Sequence, residues 1–175
     1  MFEQVLPRRL ARWVAAEADW EQVYAEQLPR VLNFFRYRLG PTADVEDLTA
    51  RTFEKAWRAR DRYRRDVAGF STWLLTIARN VAIDHLRSHQ RHEPLDVADA
   101  VPSLDATPEQ QLVQQSEADR LAALIAALSP RERELIAMKY GADMTNRAIA
   151  RATGLSESHV GTILHRAVES LRGHW

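Results

Sequence analysis

Apolar side chains in this chain recur at steps of three and four, and no Val/Ile-rich run alternates with the period of two that a half-buried strand requires. Trp20, Val23, Tyr24, Leu28, Val31, Leu32, Phe35 and Leu39 make one such stripe, which ends before Gly40-Pro41 and predicts a long amphipathic helix. Pro29 lies within it, and its missing N–H predicts a kink or break there. A second helix is expected to begin near Thr42 to Asp44, with acids in its first turn, and to carry Leu48, Thr52, Phe53 and Trp57. A third carries Phe70, Trp73, Leu74, Ile77, Ala78, Val81, Ala82 and Leu86, the cleanest stripe in the chain.

Further along, Leu112, Leu121, Leu124, Ile125 and Leu128 predict a helix ending at Ser129-Pro130. There Ser129 can cap the next helix and Pro130 fits its first position. That helix, RERELIAMKY, is expected to stop at Gly141. TNRAIARAT, the turn Gly154-Leu155 and SESHVGTILHRAVESLR then read as helix, short glycine turn, helix, which is a helix-turn-helix signature. Ala148, Ile149, Ala152, Leu155, Val160, Leu164 and Leu171 fall on its inward positions. The fold class expected is therefore all-α.

Between the last two groups of helices, EPLDVADAVPSLDATP (residues 93–108) holds three of the seven prolines, four acids and no basic residue. It reads as a flexible acidic linker joining two small helical domains, residues 1–92 and 109–175. Formal charge is zero, but its distribution is uneven: Lys and Arg against Asp and Glu number 16 to 12 over residues 1–92, and 7 to 5 over residues 129–175. Two mildly basic ends flanking an acidic middle suit a chain whose ends meet phosphate. Cysteine is absent, which removes disulfides and thiolate chemistry and fits a reducing, cytoplasmic setting. MFEQVLPRRLARW has no apolar core of a secretion signal and no long apolar run follows, so neither export nor membrane insertion is expected.

Three constellations carry candidate chemistry. Residues 59–69, ARDRYRRDVAG, set Arg60, Arg62, Arg64 and Arg65 around Tyr63. Arginines there can follow a nucleic-acid backbone, while Tyr63, Phe70 and Trp73 can stack on unpaired bases, although Phe70 and Trp73 also fit a core stripe. Asn80 can both donate to and accept from a base edge. In the last helix Ser156 is the cap, and Glu157, Ser158, His159, Gly161, Thr162 and His165 face outward toward a major groove, with Arg166 and Arg172 suited to phosphate. His85, His89 and His92 fall at i, i+4 and i+7 beside Asp84, a spacing that can hold a metal. No third ligand with a recognised motif follows and HExxH is absent, so these histidines are read as helix-end cations, with no metal and no cofactor expected. Without a phosphate loop or nucleophile elbow, no enzyme activity is expected either.

With these segments in view, the chain resembles the extracytoplasmic-function (ECF) sigma factors of the sigma-70 family. DVEDLTARTFEKAWRARDRY is similar to the helix and loop of their second conserved region, and GFSTWLLTIARNVAIDHLR to the helix that follows. LSPRERELIAMKY with TNRAIARATGLSESHVGTILHRAVESLR is similar to their fourth. The resemblance implies an RNA polymerase subunit for promoter recognition and DNA melting, with a region 2 bundle and a region 4 helix-turn-helix. Asp44, Asp47, Leu48, Phe53 and Trp57 would belong to the helix that docks on the β′ clamp of the polymerase core, with the acids outward and the aromatics mostly core. Arg62, Tyr63, Arg64, Arg65, Ser71, Trp73, Arg79 and Asn80 would take the minus-ten element, where binding energy offsets the few kcal/mol needed to extrude a base. Ser156, Glu157, Ser158, His159, Thr162, His165 and Arg166 would read the minus-thirty-five element beside the β flap. The linker would thread toward the active cleft, and an anti-sigma factor is an implied partner. Ala50-Arg51, and Gly161 with Ile163, depart from the family pattern.

Two other readings compete. A stand-alone helix-turn-helix regulator binding duplex DNA as a dimer accounts for residues 129–175 but not for the arginine-aromatic loop. A metal-dependent helical enzyme around His85 and His89 would require stoichiometric metal.

Overall fold

The computed structural model describes residues 8–64, 67–90 and 108–175, and all regular elements among them are helical. The linker expected at residues 93–108 lies outside the described residues except for Pro108, which opens a helix.

α1 (Arg8–Leu39) passes through Pro29 as one helix, where a kink or break was expected. Pro29 is exposed, while Val31, Phe34 and Phe35 in the next turns are wholly buried, and their packing carries the helix past the proline without a break. The helix stops at Gly40, whose φ of 85° closes the turn with an amide bond to the Arg36 carbonyl. α2 (Asp44–Ala59) buries Val45, Leu48, Thr49, Thr52, Phe53 and Ala56 on one face and keeps Asp44, Glu46 and Asp47 in its first turn. After a short 3-10 turn, Arg60–Arg62, α3 (Phe70–Gln90) supplies Leu74, Leu75, Ala78, Val81 and Ala82 to the interior.

In the second half, α4 (Pro108–Ala127) leads to α5 (Pro130–Ile136). The expected cap is present as a reciprocal pair: Ser129 Oγ accepts from the Glu132 amide at 3.3 Å and the Ser129 amide donates to Glu132 Oε2 at 3.1 Å. Gly141 does end this segment, but the last turn, Ala137–Gly141, widens to π geometry. α6 (Asn146–Thr153) is capped by Thr145, and α7 (Glu157–His174) by Ser156, with Gly154 between them at φ 74°.

The two halves share one core. Val31, Phe34, Phe35, Leu74, Leu75 and Ala78 are continuous with Leu135, Ile136, Met138, Ile149, Val160 and Leu164. At the centre of the seam the π turn lies directly on α1: a Cβ added at Gly141 would stand 2.9 Å from the Asn33 carbonyl oxygen, so only glycine allows this approach. Arg30 clasps the same turn, donating from Nε to the Ala142 carbonyl (2.9 Å), from Nη2 to the Asp143 carbonyl (2.8 Å) and from Nη1 to Ser71 Oγ (3.2 Å). Alongside, the buried Glu134 carboxylate accepts from Arg79 Nε and from Arg131 Nη1, each at 2.8 Å. Burial pushes the nearby Arg38 guanidinium below its ordinary range, the Glu134 carboxylate opposing and Arg133 and Arg79 reinforcing that shift.

Gly141→Ala is expected to lower stability by about 1–3 kcal/mol, because overpacking against backbone outweighs the gain in helix propensity. Ser129→Ala is expected to cost about 1 kcal/mol through loss of the cap. Urea midpoints of the two variants check both.

Candidate nucleic-acid interface

The helix-turn-helix is built by burying one side of α6 and α7. Ile149, Val160, Ile163, Leu164 and Ala167 face inward, and the left-handed Gly154 lets the chain reverse over about three residues. Glu157, Ser158, His159, Thr162, His165 and Arg166 are all exposed on the opposite side of α7, whereas Gly161, also expected outward, is half-buried with Asn146 of α6 beside it. Ser156 is exposed too, but its Oγ accepts from the His159 amide at 3.2 Å and so serves the cap. Glu157 pairs loosely with Arg147 of α6 at 3.6 Å. A helix of about 10–12 Å diameter matches a major groove about 12 Å wide. Ile163 is buried, so its departure from a basic residue removes no contact from this face.

The second surface lies where the 3-10 turn meets α3. Tyr63 is half-buried, with its ring 5.4 Å from Phe70 and 5.1 Å from Trp73, and Trp20 packs edge-on against both Phe70 and Trp57. Tyr63, Phe70 and Trp73 are thus in mutual ring contact, and all three are half-buried. Arg60 lies 4.0 Å over the Trp57 ring. Arg62, Arg64 and Asn80 are exposed, whereas Arg65 is outside the described residues. Ser71 and Arg79 are in the seam, held respectively by Arg30 and by Glu134 of the other half. The arginine-aromatic surface is therefore only partly open while the halves are together.

The third surface is the start of α2. Asp47 is exposed and Asp44 partly so, with Ala50 and Arg51 exposed beside them, while Leu48 and Phe53 are buried in the core and Trp57 packs against Trp20. Leu48 and Phe53 thus position the acids and have no surface with which to touch a partner directly. Asp44 Oδ2 faces His85 and His89 of α3 at 3.7 and 3.9 Å. Burial first, and then the adjacent His89, push His85 below its ordinary value, with Asp44 pulling the other way and Arg51 adding to the fall. This shift works against the charged form of His85, whereas the sequence reading expected a helix-end cation.

Sequence reasoning passed over Arg30, Arg38, Glu134 and Gly141. Arg38 carried a readable signal: it stands three and four residues after Phe35 and Phe34, on the stripe that goes inside. Glu134 directly precedes buried Leu135 and Ile136, but no local pattern points to Arg79 as its partner.

Known proteins agree with this architecture. Residues 23–92 match the family model for sigma-70 region 2, and residues 118–171 match that for sigma-70 region 4. The chain is 31% identical over 169 residues to the ECF RNA polymerase sigma factor SigL of Mycobacterium tuberculosis, covering 94% of this chain and 93% of that protein. It is 28% identical over 160 residues to the ECF RNA polymerase sigma factor BldN of Streptomyces coelicolor, covering 90% of this chain but only 61% of that protein's length. The fold superimposes with a TM-score of 0.73 and 20% identity on the sigma factor RpoE of Bartonella quintana, solved in complex with the anti-sigma factor NepR, covering 89% of this chain and 96% of that one. Two matched regions in the right order, and a relative matched end to end, place the chain in the ECF sigma factors of the sigma-70 family.

Proposed function

We propose that this chain directs RNA polymerase to a two-part promoter, with α7 reading the minus-thirty-five element, the Arg62 to Asn80 surface holding the melted minus-ten element, and the acids of α2 docking on the β′ clamp. The observation that carries this reading is the exposed face of α7 in the same chain as a separate arginine-aromatic surface. A stand-alone dimeric regulator needs the first surface and has no use for the second. Arg62 and Arg64 follow phosphate, Tyr63 offers its outer face to an unstacked base, and Asn80 reads the base edge.

Size sets a condition on this mechanism. Points 35 and 10 steps upstream on B-form DNA are roughly 80 Å apart at about 3.4 Å per step. A compact chain of this length has a radius of gyration of about 16 Å and is roughly 40 Å across. Closed, it cannot touch both elements. Residues 91–107 joining α3 to α4 can span at most about 60 Å, enough to let the halves part. Productive binding then requires the seam to open, which parts Arg30 from the Ala142 and Asp143 carbonyls and releases Arg79 from Glu134 for use at the minus-ten element. An anti-sigma factor is the partner class that this reading favours, since one accompanies the similarly folded RpoE of Bartonella quintana, and it would act by holding such a seam closed.

Run-off transcription with bacterial core polymerase is expected to depend on the chain. Tyr63→Ala is expected to reduce open-complex formation by about fivefold to 150-fold, the worth of one stacked base, while leaving core binding intact; loss of core binding instead contradicts the assignment. Arg166→Ala is expected to weaken duplex binding and reduce the slope of log affinity against log salt by about 1. Glu134→Gln is expected to lower folding stability yet raise affinity for core polymerase, opposite signs that separate a clasp from a general structural role.

A further inference from the structure

The histidine pair of α3 lacked a third ligand in sequence because that ligand lies far upstream. Asp44, the first residue of α2, places Oδ2 3.7 Å from His85 Nε2 and 3.9 Å from His89 Nε2. One donor atom from each of the three residues lies within 4.8 Å of the others. Hydrogen bonds between these groups would need about 2.7–3.2 Å, so neither imidazole is bonded to the carboxylate. Around a tetrahedral ion with bonds of about 2.0–2.1 Å, ligand atoms stand roughly 3.3–3.4 Å apart. The two Asp44–His edges are about half an ångström longer than that and every edge is within 4.8 Å, so binding an ion requires the three side chains to draw together.

Further features favour a ligand role. His89 Nδ1 lies 3.2 Å from the His85 carbonyl oxygen, which can only accept, a contact that suits the ring orientation in which Nε2 faces Asp44 as a ligand. The two rings are 4.0 Å apart at centroid, with His85 mostly buried and Asp44 and His89 about half exposed, giving a packed wall and an open side. Asp44 sits in the first turn of α2, at the positive end of that helix. The neighbouring Lys55 is already paired with Asp84 at 3.8 Å, while Arg51 is the cation that works against an ion here.

We propose that Asp44, His85 and His89 form a site for one divalent transition-metal ion of the zinc class, with a coordination position open to water. Two imidazoles and a carboxylate suit a borderline metal, whereas calcium and magnesium require oxygen donors throughout. Loading ties the start of α2 to the end of α3 and neutralises Asp44. The site itself does not depend on whether that helix docks on polymerase.

The test uses the full chain, stripped with chelator, and Zn²⁺ titrated at neutral pH in competition with a chromophoric chelator. One equivalent is expected, with affinity reduced more than about tenfold in His85→Ala, His89→Gln and Asp44→Asn, since even outer partners of metal ligands are worth 10–100-fold. Co²⁺ is expected to give the visible absorption of a low-coordinate nitrogen and oxygen site, lost in the same variants. Exposed His89 and Asp44 keep the test informative if His85→Ala does not fold, as circular dichroism will show. Absence of stoichiometric binding, binding indifferent to Asp44→Asn, or binding that instead disappears in His159→Ala or His165→Ala overturns the proposal.

Discussion

The closed arrangement depends on one close approach, backbone on backbone, where the π turn at Gly141 rests on Asn33 and Phe34 of α1. A side chain at that point would clash with the α1 backbone and strain the joint between the halves. Polar groups around the contact are matched to it: Arg30 satisfies the two carbonyls that follow Gly141, and Glu134 neutralises guanidinium groups that the seam removes from water. A buried carboxylate among arginines gives little net stability over an apolar replacement, but its geometry admits one register only. Such a joint is specific and, in energetic terms, separable.

Separability is what gives the seam a role in function. Of the residues assigned to nucleic acid, the α7 set is open in the closed chain, whereas Arg79 is held by Glu134 of the other half and Ser71 by Arg30 of its own. On the proposed assignment, the closed chain would present the face meant for duplex DNA and withhold Arg79 from the surface meant for single strand. Polymerase, by drawing the halves to the spacing of a promoter, would complete the second surface at the point of use.

Helices, caps and turns were legible in the sequence because each is set by neighbours within a few residues. Ser129, Pro130 and Gly154 act within one turn, and the apolar stripes repeat every three to four positions. The helix-turn-helix face was legible for the same reason: once Val160 and Leu164 go inward, His159 and His165 must point out. What local pattern does not encode is a partner brought close only by the fold. Glu134 beside Arg79, Arg30 beneath Ala142, and Asp44 opposite His85 and His89 all join residues far apart in the chain. Pro29 misled in the opposite direction, since packing of the following turns overrode a local breaker.

If the chain acts by parting at the seam, labels on its two halves must move apart on a promoter. Because it contains no cysteine, Glu54→Cys in α2 and Ser170→Cys in α7, both at exposed positions, can carry a pair of distance labels without background. A single short separation is expected for the free chain, replaced by one longer by tens of ångströms in the complex with core polymerase and promoter, as the roughly 80 Å between elements demands. An unchanged separation in a complex that is initiating transcription would contradict the account.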